Sequence, residues 1–312
     1  MFKPYGVYAA MLTPFKADGS INETVLRQMV DFMIAKGLHG LFPVSSVGEF
    51  AHMSLEQCFE IMEIVVDQAA GRVAVTPGVS ATCAENSIKL ARKAEKLGCQ
   101  GVVICPPYYY PISQENMEKH FELVADSVNL PVILYNIPLF AVPISNDVVE
   151  RLSRRHNIVG MKDSSGNMVE LMHYMDKVRL SGSDMNFLVG REEILAPALT
   201  VGASGCMTAS SGIIPEIMVG IWDAYHAGDR DKANRLQVSM LSLLRAMFAV
   251  TFPVGFKAAL EMRGFEMGPP KQPLSAAEEL KLNSVKAQIK NILQSLEEVI
   301  QREGLDKEIQ GN

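Results

Sequence analysis

Apolar residues along the chain alternate between two arrangements. Short unbroken runs, such as Val102-Val103-Ile104-Cys105 and Val132-Ile133-Leu134, are separated by longer segments in which apolar positions recur at helical spacing. Residues 22–36 place Val25, Met29, Phe32 and Met33 on one face. Eight runs predict strands, near 7–12, 40–44, 73–79, 101–105, 131–136, 158–162, 186–189 and 205–208. They are apolar on both sides, as strands of a parallel sheet covered by helices are.

A glycine pair punctuates the repeat. Gly37-Leu38-His39-Gly40, Gly98-Cys99-Gln100-Gly101 and Gly202-Ala203-Ser204-Gly205 each stand between a helical segment and an apolar run. The first glycine is expected to end its helix in the left-handed conformation, the second to let helix and strand pack closely. Ser54-Leu55-Glu56-Gln57 and Thr82-Cys83-Ala84-Glu85 both read as capping boxes.

Eight strand–helix units in about 230 residues predict a (β/α)8 TIM barrel rather than a doubly wound sheet. No GxGxxG follows the first strand. Residues 1–228 are assigned to the barrel and 229–312 to a C-terminal helical extension packed on it. That extension has an apolar-periodic segment at 232–250, a break at Pro269-Pro270-Lys271-Gln272-Pro273, and a last charged helix at about 275–302. The polar tail 303–312 is expected to fray.

Composition narrows the class. A 48% hydrophobic fraction supports a large core in 312 residues, and a net charge of −6, spread along the chain, argues against a nucleic-acid surface. The N-terminus lacks an apolar stretch of signal-peptide length, and no run is long enough to span a membrane. Five cysteines without CxxC spacing suit a reducing cytoplasm, and the six scattered histidines offer no metal-ligand spacing.

In barrels of this type the chemistry lies at the C-terminal ends of the strands. Those ends carry Ser45-Ser46-Val47-Gly48-Glu49, Tyr108-Tyr109-Tyr110, Tyr135 and Lys162, with Met207 at the eighth. One amine among phenols and hydroxyls is a set suited to imine chemistry on a keto acid. Burial lowers the lysine's affinity for its proton and frees it to attack a carbonyl. Tyr135 would then move the proton at the distal hydroxyl, with Ser46 as a relay. Taken singly, each residue also fits a solvated strand end, a rim aromatic or a loop cap.

Tyr135-Asn136-Ile137-Pro138 and Gly160-Met161-Lys162-Asp163-Ser164-Ser165-Gly166 resemble motifs of the N-acetylneuraminate lyase and dihydrodipicolinate synthase family. So do Ser46-Val47-Gly48-Glu49, Pro107-Tyr108-Tyr109-Tyr110-Pro111, Phe256-Lys257-Ala258-Ala259-Leu260 and Gly268-Pro269-Pro270. The resemblance spans nearly the whole chain. It implies a Schiff-base lysine at Lys162, a proton-transferring tyrosine at Tyr135, a relay hydroxyl at Ser46, and in Tyr109 a residue reaching a neighbouring subunit's site. It further implies a homotetramer that needs no cofactor or metal.

Two departures bear on substrate. Val47 stands where the family usually has threonine, so Ser45 is a candidate to supply the missing hydroxyl to the keto acid's carboxylate. Phe140 stands where lysine-pathway synthases have an arginine for the second substrate's carboxylate, and a phenyl ring cannot make that contact. Glu192 lies where sialic-acid lyases bind sugar hydroxyls, and Arg191, foreign to that pattern, is a candidate for an anionic acceptor. The expected reaction is reversible aldol cleavage of a 2-keto-3-deoxy acid to pyruvate and an aldehyde. Synthase-type condensation, dehydration of a keto-deoxy sugar acid, and a non-catalytic keto-acid-binding barrel remain open alternatives.

Overall fold

The computed structural model of the chain describes residues 2–306. All eight expected strands form: β1 Gly6–Ala10, β2 Gly40–Phe42, β3 Ala74–Val75, β4 Val102–Ile104, β5 Val132–Asn136, β6 Ile158–Asp163, β7 Asn186–Val189 and β8 Gly205–Thr208. They make one parallel sheet in the order β3-β2-β1-β8-β7-β6-β5-β4. Between β3 and β4 the ring closes through a parallel bridge from Gly78 to Val103. There the Val79 N–H donates to Val103 O at 2.9 Å and the Val103 N–H to Pro77 O at 2.9 Å. The apolar run 73–79 therefore does serve the barrel wall, although only two of its residues keep regular strand pairing. This is a TIM barrel, with its C-terminal helix Ala276–Arg302 outside the ring.

The helices begin and end largely as their sequences require. Asn22 caps Glu23–Ala35 and Ser54 caps Leu55–Ala69; Ser54 and Gln57 form the reciprocal capping box. The second expected box does not form. The helix starts at Ala84, which puts Cys83 at the cap position, and a thiol is a weak acceptor that makes no capping bond there. The 232–250 segment divides into two helices, Arg230–Ser239 and Leu241–Met247.

Gly37, Gly98 and Gly202 all have positive φ, as helix-ending glycines should. The second glycine of each pair has another task than the expected one. A methyl group on Gly40 would fall 2.1 Å from the Tyr8 ring, and one on Gly205 would fall 1.9 Å from Gly6 O. These glycines clear space for the neighbouring strand β1, not for the preceding helix.

The C-terminal region is tied into the barrel mouth by a buried ion pair. Lys257, on the helix Val254–Met262, donates to Glu49 Oε1 at 2.9 Å and to Pro269 O at 3.0 Å. The other carboxylate oxygen of Glu49 accepts from the Lys271 N–H at 2.7 Å. Glu49 itself sits at φ 65 at the end of the loop after β2. Breaking one side of a buried pair strands the other charge. Lys257→Met is thus expected to destabilise the protein by about 3–5 kcal/mol in denaturant unfolding. Combining it with Glu49→Gln should recover part of that loss; additive losses in the double variant would contradict the pairing.

Candidate active site

Lys162 and Tyr135 are register partners across β5 and β6, side by side where the strands leave the barrel. Side chains on adjacent strands at one register point the same way, and both enter one cavity of about 380 Å3, with Lys162 at its floor. The Lys162 Nζ lies 4.1 Å from the centroid of the Tyr135 ring and 4.9 Å from that of Phe42. Its residue exposure is 4%, and among the described residues it makes no hydrogen bond or ion pair.

Burial among rings lowers the lysine's proton affinity to about 7, while the charge of Glu192 pulls the other way. Burial pushes the Tyr135 phenol upward, so it stays protonated, with the hydroxyls of Ser46 and Ser164 opposing that shift. The Oγ of Ser164 is buried, borders the same cavity and makes no well-formed hydrogen bond. Across from it, Gly190 leaves the room the lysine needs: a methyl there would fall 2.6 Å from Lys162 Cε and 1.9 Å from Ser164 Oγ.

The next residue of each strand faces outward and fixes the pair from behind. Asn136 donates to Asp163 Oδ1 at 2.7 Å, Ser165 Oγ donates to Asp163 Oδ2 at 2.7 Å, and Asn136 Oδ1 accepts from the Ile144 N–H at 3.1 Å. The exits of β5 and β6 are thereby locked to each other and to the loop after β5.

Ser46, Val47, Phe140, Glu192 and Met207 also line the cavity with the lysine and tyrosine. Ser45 does not. Its hydroxyl donates to Met11 O at 2.9 Å and accepts from the Gly48 N–H at 3.2 Å, which shapes the loop instead of facing a ligand. Tyr109 is also elsewhere: at φ 87 and 83% exposed, it borders a neighbouring cavity of about 350 Å3. Glu192 is buried, with its proton affinity raised by burial, and its Oε1 accepts from the Ser210 N–H at 3.1 Å and from Ser210 Oγ at 3.2 Å. Arg191 is paired with Glu193 at 2.7 Å, so its charge is already answered.

Sequence reasoning gave no role to Ser164 or Gly190, though both lie inside or beside quoted motifs. It also missed Phe248, Phe252 and Phe256, which line the cavity from the C-terminal region. Their spacing of four residues was a readable signal, but of a helix face, with nothing to say which space it bounds.

The sequence profile of the Dihydrodipicolinate synthetase family matches residues 3–292. The chain belongs to that family. A 4-hydroxy-tetrahydrodipicolinate synthase of Pelobacter propionicus is 35% identical over 289 residues, covering 91% of this chain and 98% of the relative. A protein of Thermofilum pendens described as an uncharacterized DapA-like lyase is 33% identical, covering 86% and 89%. Among solved structures, YagE, a prophage protein of the same family from E. coli K12 in complex with pyruvate, superposes with a TM-score of 0.86. It is 30% identical over 94% of this chain and 98% of its own. A dihydrodipicolinate synthase crystal structure gives a TM-score of 0.86 at 31% identity, covering 97% and 100%. The protein is therefore a lyase of the Schiff-base-forming aldolase class, whose chemistry runs on a lysine imine with pyruvate and takes no metal or cofactor. Among the described residues no helix is long and apolar enough to cross a membrane.

An amine with its proton affinity lowered to about 7 is largely neutral above that pH and protonated below it. Deuterium exchange into the methyl group of pyruvate, which reports imine and enamine formation, should gain rate as pH rises through about 7 and then level off. A rate still climbing steeply toward the ordinary lysine value of about 10.4 would contradict the buried-amine geometry.

Proposed function

We propose that the protein catalyses the reversible aldol cleavage of a 2-keto-3-deoxy acid to pyruvate and an aldehyde, with Lys162 as the imine-forming residue. The observation that carries this reading is the buried, unpaired Lys162 Nζ lying 4.1 Å from the Tyr135 ring at one cavity floor. In this reading Lys162 attacks the C2 ketone and water leaves. The proton of the C4 hydroxyl passes to Tyr135 as the phenol hands its own to Ser46, and the Ser46 hydroxyl hands its own on to water at the cavity mouth. The C3–C4 bond breaks, its electron pair enters the iminium to give an enamine, and the aldehyde departs. A proton returning from that water through Ser46 and Tyr135 is the one that C3 finally gains, and a further water then releases pyruvate.

The keto acid's carboxylate is assigned to the backbone N–H groups of Ser46 and Val47, a role that needs no threonine hydroxyl. Ser164, unpartnered beside the phenol, is a second candidate for the relay. Glu192, Met207 and Phe140 are assigned to the walls of the aldehyde side. Residues 229–312 are proposed to belong to the same working unit as the barrel of 1–228, since Phe248, Phe252 and Phe256 border its cavity. A cytoplasmic homotetramer, with Tyr109 reaching a neighbouring subunit's site, is part of the same reading. The exposed, left-handed Tyr109 and the five free thiols support it.

A second reading is condensation in the synthetic direction, as the names of several relatives suggest for those proteins. It uses the same imine, and Phe140 weighs against a carboxylate-bearing acceptor. Pyruvate release from a 2-keto-3-deoxy acid, followed by a coupled dehydrogenase, tests the proposal. Tyr135→Phe should keep pyruvate imine formation yet slow cleavage by about 10²–10⁴-fold. Unchanged turnover in that variant would remove Tyr135 from the proton path.

A further inference from the structure

We propose that the aldehyde half of the substrate is a planar apolar group, an aryl ring or its like, carried on C4 of a 4-hydroxy-2-oxo acid. A chain of four phenylalanines is the wall that receives it. The proposal deepens the Schiff-base reading above and rests on it. The cavity that holds Lys162 is also lined by Phe140, Phe248, Phe252 and Phe256. Their rings touch in sequence: Phe140 to Phe252 at 5.7 Å between centroids, Phe252 to Phe256 at 5.7 Å, and Phe256 to Phe248 at 5.0 Å. These are the spacings at which aromatic rings attract one another edge to face or offset, about 4.5–7 Å. A flat apolar ligand entering the cavity would extend the same packing.

The ends of the chain of rings are open. Phe140 is 47% exposed and Phe248 39% exposed, whereas Phe256 between them in the wall is buried. Apolar surface left at the mouth of a reactive cavity favours an occupant that removes it from water. The polar alternatives fit poorly. Placed against these rings, a carboxylated or polyhydroxylated aldehyde would be desolvated without hydrogen bonds in return, and Glu192, the carboxylate assigned to this side, has its Oε1 already taken up by Ser210. The cation at this wall, Arg191, stacks on Phe248 at 5.0 Å and is held by Glu193 at 2.7 Å, so it is not waiting for an anion. The cavity's volume, about 380 Å3, lies at the low end of small-molecule sites, roughly 300–1,000 Å3. Ile137, Phe140 and Phe252 also border the neighbouring apolar cavity.

Cleavage of such a substrate breaks the same C3–C4 bond and releases pyruvate and an aryl aldehyde, with one water released on imine formation and one consumed on hydrolysis. The test supplies the intact protein with 4-hydroxy-2-oxo-4-phenylbutanoate, with the analogue derived from glyceraldehyde, and with one carrying a carboxylate on the aldehyde half. Borohydride trapping of pyruvate on Lys162 is run in parallel. The expected result is a kcat/KM for the phenyl compound at least about tenfold above both others, the discrimination an apolar pocket can supply. In Phe140→Arg, a change at a half-exposed ring of this wall, that preference should shrink about tenfold in favour of the carboxylated compound. Trapping of pyruvate together with faster cleavage of either polar compound would overturn the aryl assignment and leave the Schiff-base reading standing. Absence of trapping would overturn that reading and this inference with it.

Discussion

The site is organised by one constraint: an amine buried without a counter-charge. Carrying a lysine into an apolar interior disfavours the ammonium, and a protein ordinarily answers by pairing it. Here Lys162 is enclosed by the rings of Tyr135 and Phe42 and, among the described residues, has no carboxylate within bonding distance. The surrounding features serve that arrangement. Strand register puts the phenol beside the amine, the absent side chain of Gly190 leaves space around Cε, and the Asn136–Asp163–Ser165 network holds both strand exits in place.

The chain supplies its own comparison in Lys257. That lysine is equally buried, and desolvation lowers its proton affinity too, but Glu49 stands 2.9 Å away and pulls the other way. Its partners come from the loop after β2 and from the proline-rich segment, so it fastens the C-terminal region to the barrel mouth. Two buried lysines therefore divide the work. The paired one holds the loop that carries Ser46 and Val47 in shape; the unpaired one is the residue proposed to form the imine. Burial alone does not single out a lysine for chemistry, whereas burial without an anion, next to a cavity, makes it a candidate.

Much of this was readable in the chain. Each of the eight apolar runs becomes a strand, and the fold follows from their alternation with helices. Lys162 and Tyr135 could be paired in advance because a strand's end is visible in sequence and its register with the next strand is nearly fixed in a barrel. Hydrogen-bond partners were not visible. Ser45 looked like a hydroxyl for the substrate, but its position in the turn directs it to Met11 O. Thr82 looked like a cap, and the helix began one residue later than its box required. The aromatic wall was hidden for another reason: Phe140 and the three C-terminal phenylalanines lie more than a hundred residues apart and meet only when the last helices fold back over the barrel mouth.

The most direct measurement is reduction with borohydride in the presence of pyruvate, followed by intact mass and peptide mapping. A stable adduct confined to the peptide carrying Lys162, and lost in Lys162→Ala, is the expected result. An adduct on another lysine, or none with pyruvate or any other 2-keto acid, would contradict the assignment of Lys162 as the imine-forming residue.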